Sequence, residues 1–497
     1  MSEKVKIRRL ITGIPGLDNL LGGGLPEFSF NLIAGTPGSG KTTFAQQIMF
    51  NLATPDNRAI FFTVLGEPPM KMLRYQQQFS FFDIDKVNKS IRFINLSADL
   101  LDGDFVQVLS RIEVEVRDFS PSLVFVDSFR SVVQSAKVKD QSGAELQGFV
   151  QQLGVQMTNW QATTFLIGEY LIPEAESSPV FTVADGIIWM SQNLLHNSVV
   201  RKIQMVKMRG QAQVPGLHTF RISGDGIRVF PRAVDHADAT ESKDKISRAE
   251  QRLSLGVPEL DAMLGGGLPE GYSLLLVGPS GSGKTILTTQ FLAEGIRRGE
   301  PGVIAAFEKS PSQLLNKKLA EMIAKGHVGV INTRSLDLSI DETLSDLIMM
   351  VSKMKAKRLV IDSLSGFEVS LAPEFSEDFR GSLYRMIAQL TGMGITIMMI
   401  AELEDRYTDL RFSPYGTAFL ADAIIVQRYV EMVGQIQRVC SVVKVRGSQH
   451  SKDIRSYTIT DAGIVMGPAL TEYVGLLTGR PLTKIEREIA RESTSHN

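Results

Sequence analysis

Two short segments of this sequence carry residues whose types and spacing suit the binding of a phosphate chain. GTPGSGKT and GPSGSGKT both match the pattern G-x-x-x-x-G-K-[S/T]. In such a loop the backbone N–H groups and the following helix N-terminus face the phosphates, the lysine neutralises their charge, and the last hydroxyl ligates Mg²⁺. The predicted nucleotide-binding residues are Gly35, Thr36, Pro37, Gly38, Ser39, Gly40, Lys41, Thr42 and Thr43 in the first loop, and Gly278, Pro279, Ser280, Gly281, Ser282, Gly283, Lys284, Thr285 and Ile286 in the second.

An aspartate ends an apolar run roughly 80 residues after each loop. The runs read LVFVDS, with Asp127, and RLVIDS, with Asp362. At the end of a strand beside the phosphate loop, such a carboxylate is expected to hold magnesium, partly through water. The predicted metal ligands are therefore Thr42, Asp127, Thr285 and Asp362. The alternative is an aspartate that only caps the next turn, and the repetition of D-S favours the metal.

Hydrolysis also needs a base that orients water in line with the terminal phosphate. The strand after each loop–helix segment ends near a carboxylate, Glu67 in VLGEPP and Glu308 in AAFEKSP. We predict that these two glutamates are catalytic, together with Lys41 and Lys284. Each glutamate by itself is typical of a solvated turn, and their repetition favours the catalytic interpretation.

Basic residues recur near the end of both halves of the chain. They are Lys207 and Arg209 in KMRG, Lys444 and Arg446 in KVRG, and His450 and Lys452 just after the second motif. Residues two apart share one face of a strand. Because they lie far along the chain from their own phosphate loop, we expect them to act on a nucleotide held by a neighbouring subunit. A solvated strand face is the alternative.

The chain as a whole is a tandem repeat. ITGIPGLDNLLGGGLPE precedes the first loop and LSLGVPELDAMLGGGLPE the second, and the corresponding glycines Gly35 and Gly278 lie 243 residues apart. We predict an N-terminal domain over 1–236, a linker over 237–252, a C-terminal domain over 253–480 and a charged tail over 481–497. The linker is assigned because it is charged and has no apolar periodicity.

Short β-branched runs alternate with longer amphipathic segments in both halves. Examples are AIFFTVL, SLVFVDS and TTFLIGE, matched later by GVIAAFE, RLVIDS and ITIMMIAEL. Continuous apolar strands separated by helices predict a buried parallel sheet with helices on both faces. The predicted fold class is α/β, with two tandem P-loop NTPase domains, each a mostly parallel sheet flanked by helices.

The composition is that of an ordinary globular protein, with 497 residues, 43% hydrophobic, 22% charged and a net charge of −1. The chain has no overall excess of basic residues of the kind that would indicate nucleic-acid binding. The single cysteine, Cys440, excludes an intrachain disulfide; we expect a buried structural thiol, with a redox sensor as the alternative. No apolar signal region or 18-residue apolar stretch occurs, so a cytoplasmic protein without membrane contact is expected.

Taken together, the opening GIPGLDNLLGGGLPE, the two phosphate loops, the VDS and IDS strand ends and the paired K-x-R-G segments resemble the KaiC family over roughly residues 8 to 480. The resemblance implies two RecA-like ATPase domains and a hexameric double ring with ATP and Mg²⁺ at the subunit interfaces. It further implies that the basic residues act in trans on a neighbour's ATP, that turnover is slow and serves signalling, and that a KaiB-like or other signalling protein is a partner.

The sequence departs from the family pattern at both predicted catalytic strand ends. KaiC proteins place two adjacent glutamates there, whereas this chain has Gly66-Glu67 in the first half and Glu308-Lys309 in the second. The first half thus keeps only the second glutamate, which predicts less efficient hydrolysis there. In the second half Lys309 is expected to lower the pKa of the neighbouring carboxylate and weaken it as a base.

A second departure concerns autophosphorylation. Ala418 and Phe419 occupy the places of the adjacent Ser-Thr pair that the clock proteins of the family phosphorylate, so we predict that this reaction is lost. A shifted acceptor, Thr417 or Ser413, is the alternative. The tail LTKIEREIARESTSHN has no close match to the tail on which KaiA acts, so KaiA is not expected as a partner.

Three other functions remain open at this stage. A DNA-binding ATPase of the recombinase type needs basic loops with aromatic residues, and the segment 130–140 offers three basic residues and no aromatic, which makes nucleic acid an unexpected partner. The same fold also supports a protein kinase, and it supports a nucleotide-gated scaffold that binds ATP without turnover.

Overall fold

The structure is a computed structural model of the chain. It describes residues 7–64, 69–101, 105–129, 143–171, 179–195, 198–232, 251–307, 317–332, 338–371, 375, 378–403, 419–432, 434–476 and 482–483. The chain divides into two compact units, Met1–Arg232 and Ala233–Asn497. They are called the first and the second unit below.

The first unit contains eleven strands and seven α-helices among its described residues. The strands are β1 (Arg9–Leu10), β2 (Leu25–Pro26), β3 (Phe30–Gly35), β4 (Ala59–Thr63), β5 (Ile91–Asn95), β6 (Leu123–Asp127), β7 (Thr163–Glu169), β8 (Gly186–Leu195), β9 (Ser198–Met208), β10 (His218–Ser223) and β11 (Gly226–Phe230). The helices are α1 (Leu17–Leu20), α2 (Lys41–Leu52), α3 (Pro69–Gln76), α4 (Ser97–Leu101), α5 (Phe105–Phe119), α6 (Gly143–Asn159) and α7 (Pro179–Val183).

The second unit repeats this order of strands and adds two short strands at its end. Its strands are β12 (Arg252–Leu253), β13 (Leu268–Pro269), β14 (Ser273–Gly278), β15 (Gly302–Ala306), β16 (Val328–Asn332), β17 (Arg358–Asp362), β18 (Thr396–Glu402), β19 (Ala423–Met432), β20 (Gln435–Val445), β21 (Ile454–Thr460), β22 (Gly463–Ala469), β23 (Tyr473–Val474) and β24 (Leu482–Thr483). Its described helices are α8 (Pro258–Met263), α9 (Lys284–Arg297), α10 (Lys317–Ala324), α11 (Ile340–Met354), α12 (Leu364–Ser370) and α13 (Phe379–Gly392).

Each unit is built on one nine-stranded sheet with the same strand order. In the first unit the order is β5-β4-β6-β7-β3-β8-β9-β10-β11, and in the second it is β16-β15-β17-β18-β14-β19-β20-β21-β22. The first six strands of each sheet are parallel and the last three continue it as an antiparallel meander. The prediction of two α/β domains with mostly parallel sheets is confirmed.

The central strands are apolar along their whole length because both faces of each sheet are covered. All six residues of β3 and all six of β14 are buried. One apolar layer of the first unit includes Phe44 and Phe50 of α2, and the layer on the opposite face includes Val150 and Leu153 of α6. A strand buried on both faces shows a continuous apolar run instead of alternation, which is the pattern that predicted it.

The ends of the predicted linker and tail overlap with regular structure. Arg252, the last residue of the predicted linker, begins β12, and Leu482–Thr483, in the predicted tail, pair with β23. Residues 233–250 and 484–497 lie outside the described residues. The domain boundaries therefore stay predictions.

Two further expectations concern the single cysteine and membrane-spanning helices. Cys440 on β20 is 2% exposed, and burial raises the pKa of its thiol to about 12. A thiol held protonated in the core is a poor nucleophile, as expected of a structural cysteine. Within the described ranges, no helix combines the length and apolarity needed to cross a membrane.

A buried arginine holds the second unit together at the start of β17. Arg358 is fully buried, and its guanidinium donates to Glu300 Oε2 at 2.7 and 3.0 Å. It also donates to the carbonyl oxygens of Ser254 at 2.8 Å and Phe291 at 3.1 Å. Burial lowers the pKa of Arg358, and the Glu300 carboxylate opposes this shift. The side chain thus connects β17, α9 and the segment after β12.

Replacing Arg358 with Ala is expected to destabilise the second unit by about 3–5 kcal/mol, because it leaves Glu300 without its buried partner. Native-state hydrogen exchange of β17 peptides would measure the change. The first unit has Leu123 and Asn57 at the corresponding positions, so Arg358→Leu with Glu300→Asn is expected to recover part of the loss. The exposed Arg297→Ala serves as control, and an equal effect of both alanine variants would contradict the prediction.

Candidate functional site

Both phosphate loops join the central strand of a sheet to the helix that follows it. The first loop lies between β3 and α2, and the second between β14 and α9. The residue before each helix is a glycine in the left-handed conformation, Gly40 with φ 100° and Gly283 with φ 98°. Only glycine adopts this conformation without a steric penalty, and it turns the chain so that the free N–H groups of the first helical turn face the loop. This arrangement suits an anion.

The loop lysines lie inside their loops. Lys41 Nζ donates to the carbonyl oxygen of Thr36 at 2.8 Å, and Lys284 Nζ donates to the carbonyl oxygens of Gly278 and Pro279, both at 2.7 Å. Burial lowers the pKa of Lys41, whereas the charges of Glu169 and Asp127 oppose this shift. The two loops therefore hold an ammonium group in the same place.

The hydroxyl and the carboxylate predicted as metal ligands lie next to each other. Thr42 Oγ1 donates to Asp127 Oδ2 at 2.7 Å in the first unit. In the second unit Thr285 and Asp362 line one cavity of about 310 Å³ together with Lys284. The described residues contain no group of three His, Cys, Asp or Glu side chains that could hold a metal. A Mg²⁺ ion shared between one hydroxyl, one carboxylate and substrate phosphates does not require such a group.

Two features of the loops fit a phosphate chain. The side-chain hydroxyls of Thr36 and Ser39 in the first loop are buried and have no hydrogen-bond partner among the described residues. A buried hydroxyl without a partner costs free energy, so a ligand with acceptor oxygens would satisfy these groups. The cavity at the second loop is lined by Ser280, Gly281, Gly283 and Thr285, with polar groups facing it.

The predicted catalytic glutamates cannot be placed, since Glu67 and Glu308 lie outside the described residues. Another pair of carboxylates lies at the sites and was missed from the sequence. Glu169 ends β7 opposite Gly35, with Oε1 4.0 Å from Lys41 Nζ. Glu402 ends β18 opposite Gly278 and lines the second cavity. The matching strand ends TTFLIGE and TIMMIAE were the signal that could have identified them.

Side chains from β8 and β19, the strands that flank β3 and β14 on the side away from β7 and β18, hold the loops from the other side. Gln192 Nε2 donates to the carbonyl oxygen of Pro37 at 3.4 Å, and Tyr429 Oη donates to that of Ser280 at 3.3 Å. The guanidinium of Arg438 lies 5.6 Å from the centroid of the Tyr429 ring. The second unit thus presents an aromatic ring at the rim of its loop where the first presents an amide.

A buried tyrosine makes an additional bond to the second loop alone. Tyr457 Oη donates to the carbonyl oxygen of Ser282 at 2.6 Å. On β10, the corresponding strand of the first unit, the matching residue is Phe220, which has no hydroxyl. Tyr457 therefore gives the backbone of the second loop a hydrogen bond that Phe220 cannot give the first.

Tyr457→Phe is expected to weaken nucleotide binding to the second loop about 3- to 10-fold, because one hydrogen bond is worth roughly 0.5–1.5 kcal/mol. Titration of a fluorescent ATP analogue in a Lys41→Ala background would measure it, since only the second loop then keeps its lysine. Tyr473→Phe, on β23, is the control. Equal affinities for the two variants would show that the bond does not order the loop.

The basic residues predicted to act in trans lie at the opposite end of the sheet from their own loop. Lys207 pairs with Ile187 near the amino end of β8, and Arg209 Nη1 bonds Asp185 Oδ1 at 3.1 Å. The carboxylate of Asp185 also accepts from the N–H of Phe30, the first residue of β3, whereas the loop follows its last residue. The two ends of this strand, Phe30 and Gly35, are five residue steps apart, which corresponds to a distance of about 16 Å.

The second unit repeats this arrangement. Lys444 Nζ donates to the carbonyl oxygen of Ala421 at 2.8 Å, and Arg446 Nη1 bonds Asp422 Oδ1 at 3.1 Å. Burial lowers the pKa of Lys207 and of Lys444, the adjacent arginines lower it further, and the nearby aspartates oppose both effects. The half-buried His450 and the exposed Lys452 follow between β20 and β21. These groups are not brought to the loop of their own unit.

Other positions named from the sequence are only partly described. Phe419 is 58% exposed and precedes β19. Ala418, Thr417, Ser413 and the basic segment 130–140 lie outside the described residues. Thr43 and Ile286 are early residues of α2 and α9, and Ile286 lines the second cavity.

Comparison with known proteins agrees with the repeat seen in the fold. A family model described as "ATPase: KaiC" matches residues 10–234 and again residues 253–471. The chain is 30% identical to the circadian clock protein KaiC3 of Synechocystis sp., over 98% of this chain and 97% of that protein. It is 28% identical to the circadian clock oscillator protein KaiC of Picosynechococcus sp., over 96% and 92%, and 27% identical to that of Prochlorococcus marinus, over 97% of each. With both halves matched, the chain belongs to the KaiC ATPase family.

Proposed function

We propose that the protein is a slow Mg²⁺-dependent ATPase that works as a homo-oligomer, a hexamer of two stacked rings, with each ATP held between neighbouring subunits. The observation that carries the proposal is the division of each unit into two half-sites. The loop, its lysine and the Thr–Asp pair lie at one end of the central strand, and the K-x-R-G residues lie at the other. A single unit cannot bring both to one phosphate, whereas adjacent copies arranged head to tail can.

The residues of the loop side bind and orient the substrate. Backbone N–H groups at the start of α2 and α9 receive the phosphates, and Lys41 or Lys284 moves from the loop carbonyls to the phosphate oxygens. Thr42 with Asp127, and Thr285 with Asp362, hold the metal. When bound, Mg²⁺ supplies positive charge that balances the charge on the β- and γ-phosphates.

The attacking water is oriented by carboxylates at the strand ends. Glu67 and Glu308 are proposed as the bases, and Glu169 and Glu402 as additional carboxylates at the same edge. Glu169 also lies 4.0 Å from the lysine ammonium, so it positions Lys41 through their opposite charges. With one glutamate per strand end, slow turnover is expected in both units.

The residues of the other side complete a neighbour's site. Lys207 and Arg209 in one ring, and Lys444, Arg446, His450 and Lys452 in the other, are proposed to approach the γ-phosphate of the adjacent subunit. Asp185 and Asp422 hold the two arginines in place by ion pairs at 3.1 Å. A cation supplied in this way stabilises charge that develops during phosphoryl transfer.

The proposal includes a regulatory role without autophosphorylation of the usual kind. Phe419 has no hydroxyl to phosphorylate. The partner in such a role is proposed to be a KaiB-like or other signalling protein. The cytoplasmic location expected from the sequence stays a prediction.

Phosphate release from the full chain with Mg-ATP tests the proposal. Glu67→Gln and Glu308→Gln are each expected to slow hydrolysis in their own unit at least about 100-fold, because a neutral amide cannot accept the proton of the water. Light scattering would check that the oligomer is intact. Glu259→Gln, an exposed glutamate on α8, is the control. If the unmodified chain binds ATP but releases no phosphate, the ATPase proposal is wrong and the protein acts as a nucleotide-gated scaffold.

A further inference from the structure

A cavity of about 440 Å³ lies in the first unit at the amino ends of β3, β6 and β7, away from the phosphate loop. Its lining includes Glu27, Phe28, Arg117, Ser122, Trp160 and Gln161. Among the lining residues that the structure describes, Glu27 is the only acid and Arg117 the only base. The combination of one carboxylate with two aromatic side chains has no role in the proposed hydrolysis.

Matching hydrogen bonds identify the residues of the second unit that correspond to those lining the cavity. The N–H of Phe28 donates to Thr163 Oγ1 at 2.9 Å, as the N–H of Gly271 donates to Thr396 Oγ1 at 2.9 Å. These threonines in turn donate their N–H groups to the carbonyl oxygens of Ser122 and Lys357, both at 2.9 Å. Ser122 therefore corresponds to Lys357, and Glu27 corresponds to Glu270.

In the second unit an ammonium group of the chain itself satisfies the carboxylate. Lys357 Nζ lies 3.3 Å from Glu270 Oε1. In the first unit Ser122 is too short to reach Glu27, which instead forms an ion pair at 3.5 Å with Arg8, a side chain that is 78% exposed. An ion pair with so exposed a partner contributes little. The first unit therefore keeps the carboxylate and leaves room beside it for an ammonium from outside.

Around this cavity the first unit has aromatic and polar side chains where the second unit has small or flexible ones. Phe28 corresponds to Gly271, and Gln161 to Gly394, a glycine at the end of α13. Both keep the left-handed conformation of those glycines, with φ 60° and 54°. This conformation costs a side-chain-bearing residue roughly 1–2 kcal/mol. Two of the five described non-glycine residues with positive φ thus lie at this site; Ser120, with φ 48°, lines it too but matches Lys355, with φ 53°, at the corresponding helix end of the second unit. Such strain concentrates at ligand sites.

The backbone around the cavity also favours a cation. Helix α5 ends at Phe119 and helix α6 at Asn159, and the residues that follow them, Ser120 and Trp160, line the cavity. The carboxyl end of a helix carries partial negative charge. Phe28 and Trp160 also line the cavity, and aromatic rings attract cations. Arg117, exposed in the last turn of α5, opposes these effects.

We propose that this cavity binds a primary alkylammonium group, supplied by a free amine or by a lysine side chain of a peptide. Its nitrogen bonds the Glu27 carboxylate, as the nitrogen of Lys357 bonds Glu270, and its alkyl stem packs between Phe28 and Trp160. The site is independent of the proposed hydrolysis of ATP.

Ligand-observed ¹⁹F NMR with 4,4,4-trifluorobutylammonium and the full chain tests the proposal, with 4,4,4-trifluorobutanol as the neutral control probe. Glu27→Gln is expected to weaken binding of the ammonium at least about 10-fold, since a charge-assisted hydrogen bond is lost. Ser122→Lys, which introduces the lysine of the second unit, is expected to abolish binding. Arg117→Gln is expected to strengthen it, and Glu270→Gln to leave it unchanged.

The result that overturns the proposal is ¹⁹F relaxation that neither Glu27→Gln nor Ser122→Lys alters, or no relaxation change at all. Equal binding of the alcohol would do the same. Ser122→Lys keeps the test valid even if Glu27→Gln fails to fold. Competition by n-butylammonium and by Nα-acetyl-lysine methylamide distinguishes the sources: tighter binding of the lysine amide supports a peptide, and equal binding supports a free amine.

Discussion

Replacing Lys284 with Ala is expected to slow phosphate release at the second site about 100- to 1,000-fold and to leave the first site working, whereas Lys41→Ala is expected to do the reverse. Each ammonium lies inside its own loop, bonded to the carbonyl oxygens of Pro279 and Gly278 or of Thr36. Loss of one positioned charge from a water-excluding phosphate site typically has an effect of this size. The double variant is expected to release phosphate about 100- to 1,000-fold more slowly than the unmodified chain.

Single-turnover phosphate release, with nucleotide occupancy measured on the same samples, would check this prediction. Arginine at either position is the matched variant, since it keeps the charge but cannot return to the loop carbonyls in the same geometry. Lys325→Ala, an exposed lysine after α10, is the control for altered net charge. If Lys41→Ala and Lys284→Ala each removed all turnover, the two sites would be coupled instead of independent.

Mixing two inactive variants is expected to restore activity, because each proposed site takes residues from two subunits. One variant carries Lys444→Ala and Arg446→Ala, and the other carries Lys284→Ala; both also carry Lys41→Ala to silence the first unit. The variant without the basic pair is expected to lose about 1,000-fold or more in turnover by itself, and the loop variant about 100- to 1,000-fold. In random mixed assemblies about one quarter of the head-to-tail interfaces join an intact loop to an intact basic pair, so about a quarter of the activity of the second unit should return.

Native mass spectrometry would verify that mixed oligomers form, and phosphate release would then be measured on them. The control replaces the second variant by a chain that carries Lys284→Ala together with both basic substitutions, and no recovery is expected. Mixed oligomers without recovery would mean that Lys444 and Arg446 do not act in trans. Their ion pair and hydrogen bond, to Asp422 and Ala421, would then be structural.

Much of the candidate nucleotide site was predictable in its geometry, because its parts are local in the chain. The loop, the glycine before the helix and the first helical residues are consecutive, so their conformation follows from glycine freedom and helix geometry. The repeat reinforced each assignment, since every feature appears twice. The buried strands were predictable for a similar reason, because burial of both sheet faces requires unbroken apolar runs.

Other parts could not be predicted because they depend on which strands become neighbours. Glu169 comes to Lys41 only because β7 pairs with β3, and the sequence between them does not encode that pairing by itself. The difference between Tyr457 and Phe220 affects the loops only because the fold places β21 and β10 beside them. Arg358 looks like a surface cation in the sequence and is fully buried in the structure.

By itself, the sequence determined the tandem repeat, the α/β class, the two phosphate loops and the family resemblance, because these depend on residue type, periodicity and short spacing. Only the tertiary structure decided where Lys207, Arg209, Lys444 and Arg446 lie. In a parallel sheet each strand has its two ends at opposite edges, and the pairing of β8 with β9, and of β19 with β20, puts the basic residues at the edge away from the loops. That separation is the physical reason to expect a site shared between subunits.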